Sequence, residues 1–466
     1  MESGYQAALD GAAFLHRKDR RFLEVMGKSP GEMLKGILSG TIPGPLTEVR
    51  GNQAEKDGPA ADGAAADGPA AEGLAEEGEA QEGEAARNAG AESRGETTSP
   101  FLAGWAHYST ALTPKGKMVT DLRVIPQVPE GFLLELSEAG LPGLETHFRK
   151  YLHPRFAGTR DRSGELSMIS IVGPEGTKVV ARALGMRGLG KGSGHLGLVQ
   201  EPARRPGHPG GVQGPAKGMA PATGVQGLAK ASGPGGGVHG SMGGIAMGNA
   251  PGSPVPQSSG DAVWRLTHPD FGTLFVLENR DLEGPPPEGR DEGRPASDPG
   301  HRGLPALDVI AEDHVLDAFG KALEEAGASP MGPEAWEVLR IEAGAPAFGL
   351  DMTEDTIPVE AGIHQRAVDY RKGCYTGQEV IVRIRDRGQV NKRLCRVLLG
   401  DIPLPEAATA LFSPHEDRSR GWITSACRSP RFGQTVALGY VKRGLEPGDE
   451  VRVGSPDGPP GRVEAL

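Results

Sequence analysis

Lys372-Gly373-Cys374-Tyr375-Thr376-Gly377-Gln378-Glu379 packs a thiol, a cation, a carboxylate, an amide and two glycines into eight residues, roughly 28 Å even if fully extended. No other stretch of the chain concentrates chemistry in this way. The glycines before Cys374 and Gln378 let the backbone take positive φ or approach a ligand closely, so that the thiol and the Gln378-Glu379 pair can address one site. The following run, Val380-Ile381-Val382-Arg383-Ile384-Arg385, is rich in β-branched residues and is expected to be a buried strand leaving that site. Reactive groups are commonly mounted where a loop feeds a rigid element.

Working outward, the flanks carry further marked segments. Upstream are Leu339-Arg340-Ile341-Glu342-Ala343-Gly344 and Ile357-Pro358-Val359-Glu360-Ala361-Gly362; downstream are Arg387-Gly388-Gln389-Val390-Asn391-Lys392-Arg393-Leu394 and Ile423-Thr424-Ser425-Ala426-Cys427-Arg428-Ser429-Pro430. Together with the octapeptide these segments resemble the YgfZ family, folate-binding proteins of the glycine-cleavage T-protein superfamily, whose signature is Lys-Gly-Cys-aromatic-x-Gly-Gln-Glu. The resemblance implies an α+β fold: a T-protein-like folate-binding body with ferredoxin-like elements, a C-terminal antiparallel β-barrel and a central folate channel.

Composition limits how much of the 466 residues can fold. There are 72 Gly and 40 Pro but only 12 Phe, 6 Tyr and 4 Trp. Residues 47–100 form an Ala/Gly/Glu tract without an aromatic, and 185–258 form a Gly/Pro-rich tract with the near-repeat Gly211-Val212-Gln213-Gly214 and Gly224-Val225-Gln226-Gly227. Both are expected to be disordered insertions, and 283–305 a shorter Pro/Gly-rich loop. The remaining body comprises 1–46, 101–184, 259–282 and 306–390, with the barrel in 391–466. The formal net charge of −11 arises mostly in the first tract, since 51–100 hold 12 acidic and 3 basic residues. The rest is nearly neutral, so the acidic balance points to no class of partner.

Three cysteines, 374, 395 and 427, lie far apart without CxxC spacing, which argues against a disulfide framework and a self-contained zinc or cluster site. The 12 His show no ligand spacing, and no metal site is expected. GxGxxG at 192–197 and a Walker-like 185–191 are read as accidents of glycine content, because neither sits between a strand and a helix. The charged run Arg17-Lys18-Asp19-Arg20-Arg21 comes early, and no apolar stretch of the length of a signal peptide or membrane span precedes it. A cytoplasmic protein with no membrane partner and no direct nucleic-acid binding is expected.

Local patterns supply the ordered pieces. Strands are expected at 22–26, on both sides of the Pro114-Lys115-Gly116 turn, and at 132–136, 167–172 and 274–277. Helices are expected at about 31–38, 143–152, 308–326 and 333–343. Beyond the octapeptide come strands at 394–399, 420–425, 436–441, 450–453 and 461–465, separated by Gly and Pro.

Cys374 follows a glycine and lies two residues from Lys372, a setting that suits a reactive thiolate, although a free cysteine is also a common inert core residue. The resemblance makes Cys374 the functional thiol and leaves Cys395 and Cys427 as small core hydrophobes. It places Thr120-Asp121 where T-proteins carry a pair of acidic residues for aminomethyl chemistry, and Asp121 is the one present here. A carboxylate there can move a proton or stabilise a cation at the folate amine; it can equally pair with Arg123. Lys372 and Arg383 are candidates for the folate glutamate tail, or are solvated charges. Gln378, Glu379 and Glu342, with Arg340, are candidates for the folate ring, or form the ion pairs Glu379–Arg383 and Glu342–Arg340. The implied ligand is tetrahydrofolate or a one-carbon derivative, and the implied role is accessory to iron–sulfur client proteins, including tRNA-modifying enzymes. The alternative is a tetrahydrofolate-dependent aminomethyltransferase.

Overall fold

The computed structural model describes residues 2–48, 101–128, 131–186, 188–192, 195–199, 260–283, 303–388 and 390–466. The remainder of the three expected insertions lies outside these residues.

The chain begins with helix α1 (Glu2–Asp10) and strand β1 (Ala13–His16), neither of which the sequence patterns had suggested. Two copies of one topology follow. The first runs β2 (Arg20–Gly27), α2 (Pro30–Ile37), the two-residue β3 (Thr47–Glu48), β4 (Leu102–Leu112), β5 (Met118–Pro126), β6 (Phe132–Ser137), α3 (Leu141–Tyr151) and β7 (Ala157–Asp161). The second runs β8 (Leu166–Val172), α4 (Gly176–Ala183), the hairpin β9 (Gly188–Gly192) and β10 (His195–Val199), β11 (Asp261–His268), β12 (Gly272–Asn279), β13 (Ala306–Glu312), α5 (Asp313–Glu325) and β14 (Ser329–Pro330). Their strand orders correspond, β4-β5-β6-β2-β7 against β11-β12-β13-β8-β1-β14, with β1 inserted before the last strand. Antiparallel pairing of β4 with β11, Ala106 opposite Asp261, joins the halves into one sheet. The two long insertions occupy equivalent places, each between the first helix of a half and the strand that meets the other half.

Each half buries one sheet face beneath its helices. Leu34, Ile37, Leu144 and Phe148 of α2 and α3 cover Leu23, Leu122, Val124 and Leu134; Val180, Leu316, Phe319 and Leu323 of α4 and α5 cover Ile169, Trp264, Val276 and Val309. The other faces share a smaller apolar cluster that includes Phe22, Ile125, Leu133, Met168 and Ile310. Because strand side chains alternate, Asp121 and Arg123 lie on the same face of β5 as Ile125, turned away from the helix-covered core.

Two expectations are corrected. Asp308 opens no helix: residues 306–312 are β13, buried on both faces, and α5 begins only at Asp313. Leu307, Val309 and Ala311 enter the helix-covered core while Ile310 enters the central cluster, the period-two signature of a strand. The run Val380 to Arg385 is likewise no strand but lies within helix α8 (Gln378–Arg387), reached through α6 (Pro333–Ala343) and α7 (His364–Ala367). Part of the 185–258 tract pairs as the β9–β10 hairpin, across which the GxGxxG stretch falls.

The C-terminal strands close on themselves in the order β15-β18-β17-β16-β19-β20. They are β15 (Lys392–Leu398), β16 (Ala410–Phe412), β17 (Ser419–Ser429), β18 (Gln434–Lys442), β19 (Glu450–Val453) and β20 (Pro460–Glu464), with β16 unforeseen. Closure leaves no sheet edge exposed, and Val397, Leu411, Ile423, Val451 and Val463 fill the interior. Among the described residues, no helix is long and apolar enough to cross a membrane.

Candidate functional site

The octapeptide is the end of a loop bound along the C-terminal end of α2. A helix leaves its last carbonyls without intrahelical partners, and this loop supplies them. The ammonium of Lys372 donates to the carbonyls of Leu38 and Gly40 at 2.6 and 2.8 Å, and the Thr376 amide donates to that of Gly36 at 3.1 Å. Upstream, Ser39 Oγ donates to the Ala367 carbonyl, the Asp369 amide donates to the Ser39 carbonyl, and Thr41 Oγ1 donates to Asp369 Oδ2. A cation at a helix C-terminus is also favoured by the helix dipole. Burial lowers the Lys372 ammonium to about 8, against the opposing pull of Asp369.

This anchoring presents Cys374 to solvent. Cys395 and Cys427 are buried, as expected of core residues, and burial raises their thiols to about 11 and about 12. Tyr375 turns inward beside Leu112, Met118 and Ile381. Gly377 then takes φ +84°, and a side chain there would stand 2.6 Å from the Thr113 carbonyl in the β4–β5 turn, so only glycine lets α8 start against that turn. Gln378 and Glu379 form the first turn of α8. Glu379 and Arg383 are exposed and make no ion pair with each other or with any other described residue.

The second polar centre lies on the inner sheet face, where the halves meet. Arg123 bridges them: Nε donates to Glu135 Oε2 at 2.7 Å in the first half, and Nη2 pairs with Asp308 Oδ2 at 2.6 Å in the second. Arg20 also bonds Glu135, and Ser170 and Asn279 complete Asp308. Burial alone would push Glu135 up, but Arg123 and Arg20 overcome it and hold the carboxyl at about 2.

Arg123 Nη1 is left buried without a hydrogen bond among the described residues, and a second, less complete network lies beside this one. Tyr108 OH donates to Asp121 Oδ2 at 2.7 Å, while Asp121 Oδ1 is buried without a hydrogen bond among the described residues. The Arg366 guanidinium, carried on α7, lies 5.0 Å over the Tyr108 ring and donates to Asp281 Oδ1 at 3.2 Å. Its Nη2 is 3.9 Å from Asp261 Oδ2, beyond hydrogen-bond reach, and neither atom has another hydrogen-bond partner among the described residues. Burial raises Asp121, opposed by Arg20 and Tyr108, and raises Asp261 to about 6 against Arg366, Arg123 and Arg280. Asp261 and Asp121 are buried, whereas the side chains of Arg366 and Asp281 are 29% and 44% exposed, so the cluster has a closed floor and an open rim.

The sequence-derived candidates therefore separate. Asp121 lies on the floor of the interior cluster. Lys372, Cys374, Gln378, Glu379 and Arg383 share the anchored loop and α8. The two groups connect through α7, where Arg366 reaches Tyr108 and the neighbouring Ala367 carbonyl is bonded by Ser39. Arg340 and Glu342 lie elsewhere, in the seam between body and barrel. Glu342 accepts from Tyr5 OH at 2.8 Å and from Ser429, and Arg340 donates to Asp351 at 2.7 Å and to Glu337 and Ser425. They do not pair with each other. Tyr108, Asp261, Asp281 and Arg366 escaped the sequence reading. The one available signal was Asp261, a carboxylate heading the apolar run Ala262-Val263-Trp264.

A two-half body with this strand order and a closed six-stranded C-terminal barrel define a T-protein-like fold. The structure aligns over the whole chain with the glycine cleavage system aminomethyltransferase T of Bartonella henselae, covering 88% of that protein at a TM-score of 0.57 and 13% identity. Residues 392–465 match the family model of the glycine cleavage T-protein C-terminal barrel domain. The chain is also similar to an aminomethyltransferase of Neisseria meningitidis, 31% identical over 156 residues, and to one of Moorella thermoacetica, 34% identical over 130 residues. These stretches cover 33% and 28% of this chain and 41% and 34% of the relatives, less than half of either.

Proposed function

We propose that this protein binds tetrahydrofolate, or a one-carbon derivative of it, at the junction of its two halves, and acts as an accessory factor for iron–sulfur enzymes. The observation that carries the folate reading is a group of buried polar atoms left without hydrogen bonds at that junction, among them Asp121 Oδ1, Asp261 Oδ2, Arg366 Nη2 and Arg123 Nη1. Native interiors rarely leave such atoms unpaired without a ligand, ion or water to meet them. A pteridine, with N–H donors and a carbonyl acceptor on one edge, matches acceptors and a donor held close together. When bound, tetrahydrofolate supplies the amine that carries a one-carbon unit. Asp121, its carboxyl raised by burial, holds or moves a proton beside that amine, and Tyr108 fixes its orientation.

The accessory role is supported by Cys374, an exposed thiol on a loop whose backbone is fixed at several points while the thiol itself stays accessible. One such thiol is too few to hold a cluster, which takes about four protein ligands, but it suits a transient contact with a client's cluster site. Aminomethyl transfer is the second reading, favoured by the names of the relatives and by Asp121. Calorimetry of tetrahydrofolate with the wild type and Cys374→Ala, paired with the activity of an iron–sulfur enzyme in cells carrying each version, tests both. Retained binding with lost client activity supports the accessory role. Methylenetetrahydrofolate production from an aminomethyl-lipoyl carrier protein supports transfer, and absence of folate binding by the wild type defeats both readings.

A further inference from the structure

We propose that Asp261 and Arg366 together read the lactam edge of the pteridine, the N3–H donor and C4 carbonyl acceptor, and so select 4-oxo over 4-amino pterins. This rests on the folate-binding reading above. It gives a role to two residues that neither the octapeptide nor the sequence resemblance marked, and moves ring recognition away from Glu342 and Glu379.

The candidates for ring recognition differ in what their atoms already do. Glu342 accepts from Tyr5, Ser429 and the Arg431 amide, so its carboxylate is occupied by contacts that join α1, α6 and the barrel. Glu379 stands exposed on the first turn of α8. Asp261 is 3% exposed, and its Oδ2 has no hydrogen bond among the described residues. Its Oδ1 is 3.5 Å from Arg280 Nε, and its Oδ2 is the oxygen turned toward Arg366, 3.9 Å from Nη2. Arg366 Nη2 also lacks a hydrogen bond, while Nη1 is committed to Asp281.

The pair is thus one acceptor and one donor, a long ion pair 3.9 Å apart in which neither atom makes a hydrogen bond and each group is held by its other half. A lactam presents the complementary order, N–H beside C=O, and can bond both at once. A 4-amino pterin reverses both positions, setting an NH2 donor against Arg366 and a bare ring nitrogen against Asp261 Oδ2. A site built to hydrogen-bond a particular group rejects the analogue that leaves its buried polar atoms unpaired far more strongly than an apolar pocket does. The Arg366 guanidinium over Tyr108 places the same pair beside Asp121, so a ring read at Asp261 would lie near the group assigned the proton.

Folic acid and aminopterin differ only at position 4, and calorimetric titration of the full chain with each, alongside tetrahydrofolate, tests the inference without any variant. The wild type is expected to prefer folic acid by at least about tenfold. In Asp261→Asn, whose amide can serve as donor or acceptor, the preference should shrink toward parity while tetrahydrofolate binding weakens. Arg366→Lys should also lose discrimination, and thermal melts of each variant verify folding. Wild-type binding of tetrahydrofolate without preference between the two analogues overturns the lactam assignment and leaves the folate reading standing. So does a full preference retained by folded Asp261→Asn. Failure of the wild type to bind any of the three compounds removes the folate reading itself, and this inference with it.

Discussion

Tyr108 and Asp121 lie diagonally across neighbouring strands, Tyr108 opposite Arg123 and Asp121 opposite Thr110, joined by a 2.7 Å hydrogen bond that leaves the second carboxylate oxygen buried and unbonded. Burial and the neighbouring carboxylate hold the Tyr108 hydroxyl well above its usual range, so it remains a donor wherever the fold persists. Tyr108→Phe deletes that donor and should push the Asp121 carboxyl still higher. Leaving a buried acceptor unpaired costs about 1–3 kcal/mol. Chemical denaturation should show a loss of that size, and calorimetry a roughly tenfold or larger loss of tetrahydrofolate affinity, equivalent to about 1.4 kcal/mol. Unchanged affinity in a folded Tyr108→Phe would place the ligand away from Asp121.

Asp261 makes stability depend on acidity in an unusual direction. Its carboxyl stands at about 6 in the folded chain against 3.8 when free, so folding favours the protonated form. That contribution is full below about pH 4 and is lost as pH rises through about 6, with a magnitude on the order of 3 kcal/mol as an upper bound. In Asp261→Asn this part of the pH dependence should vanish. Urea denaturation at pH 5 and pH 7.5 tests it: the wild type should lose more stability over that interval than the variant, and parallel changes would remove Asp261 as the source.

The barrel, the α2 and α3 layer and α6 were legible because Gly and Pro punctuate short apolar runs and because helical periodicity survives in α3 and α6. The segment after Gly377 was misread for a physical reason. Val380-Ile381-Val382 has strand propensity, but only Ile381 is fully buried, and packing of one face onto the β4–β5 turn decides for a helix. The opposing signals were present: Glu379 in the first turn, Arg385 and Arg387 in the last, and Gly388 as a left-handed cap with φ +65°. Asp308 misled in the opposite sense. The helix expected from 308 took in residues that form the end of a strand, in which Asp308 is buried and paired with Arg123 from the other half. Ion pairs across the two halves leave no local trace, which is also why Arg366, Asp281 and Tyr108 were invisible as a group while Cys374 was not.

Exposure divides the three thiols sharply. Native protein should react with a chromogenic disulfide reagent at one equivalent, rising to three on denaturation, and Cys374→Ala should abolish the native phase. Because Cys374 is exposed, that variant should change unfolding free energy by no more than about 0.5 kcal/mol. A native phase that survives in Cys374→Ala would mean that Cys395 or Cys427 opens to solvent.

Lys372 governs whether that thiol is held in place. Lys372→Met removes both bonds to the Leu38 and Gly40 carbonyls that follow α2, and amide hydrogen exchange across 369–377 should quicken while the barrel strands stay protected. The wild-type lysine stands at about 8 against 10.5 when free, so folding disfavours its charged form. That burden is present below about pH 8 and is relieved as pH rises toward 10.5. The wild type should therefore gain stability relative to Lys372→Met across this alkaline interval, and equal slopes would show that the amine is not buried in solution.

Arg340 supplies the contrast between a residue that holds the molecule together and one that meets a ligand. Its guanidinium is buried in the seam, bonded to Asp351, Glu337 and Ser425, and Asp351 in turn accepts from Thr424 and Ser425 of the barrel. Removing one partner of a buried pair strands the other charge, at roughly 3–5 kcal/mol. Arg340→Met should therefore destabilise the chain by about that amount. Arg340→Met with Asp351→Asn should recover part of the loss, because the stranded carboxylate is then neutral. Tetrahydrofolate affinity of the folded double variant should stay within about twofold of the wild type, since the seam shares no residue with the Asp121 cluster. A loss of affinity equal to that of Tyr108→Phe would draw the seam into the binding site.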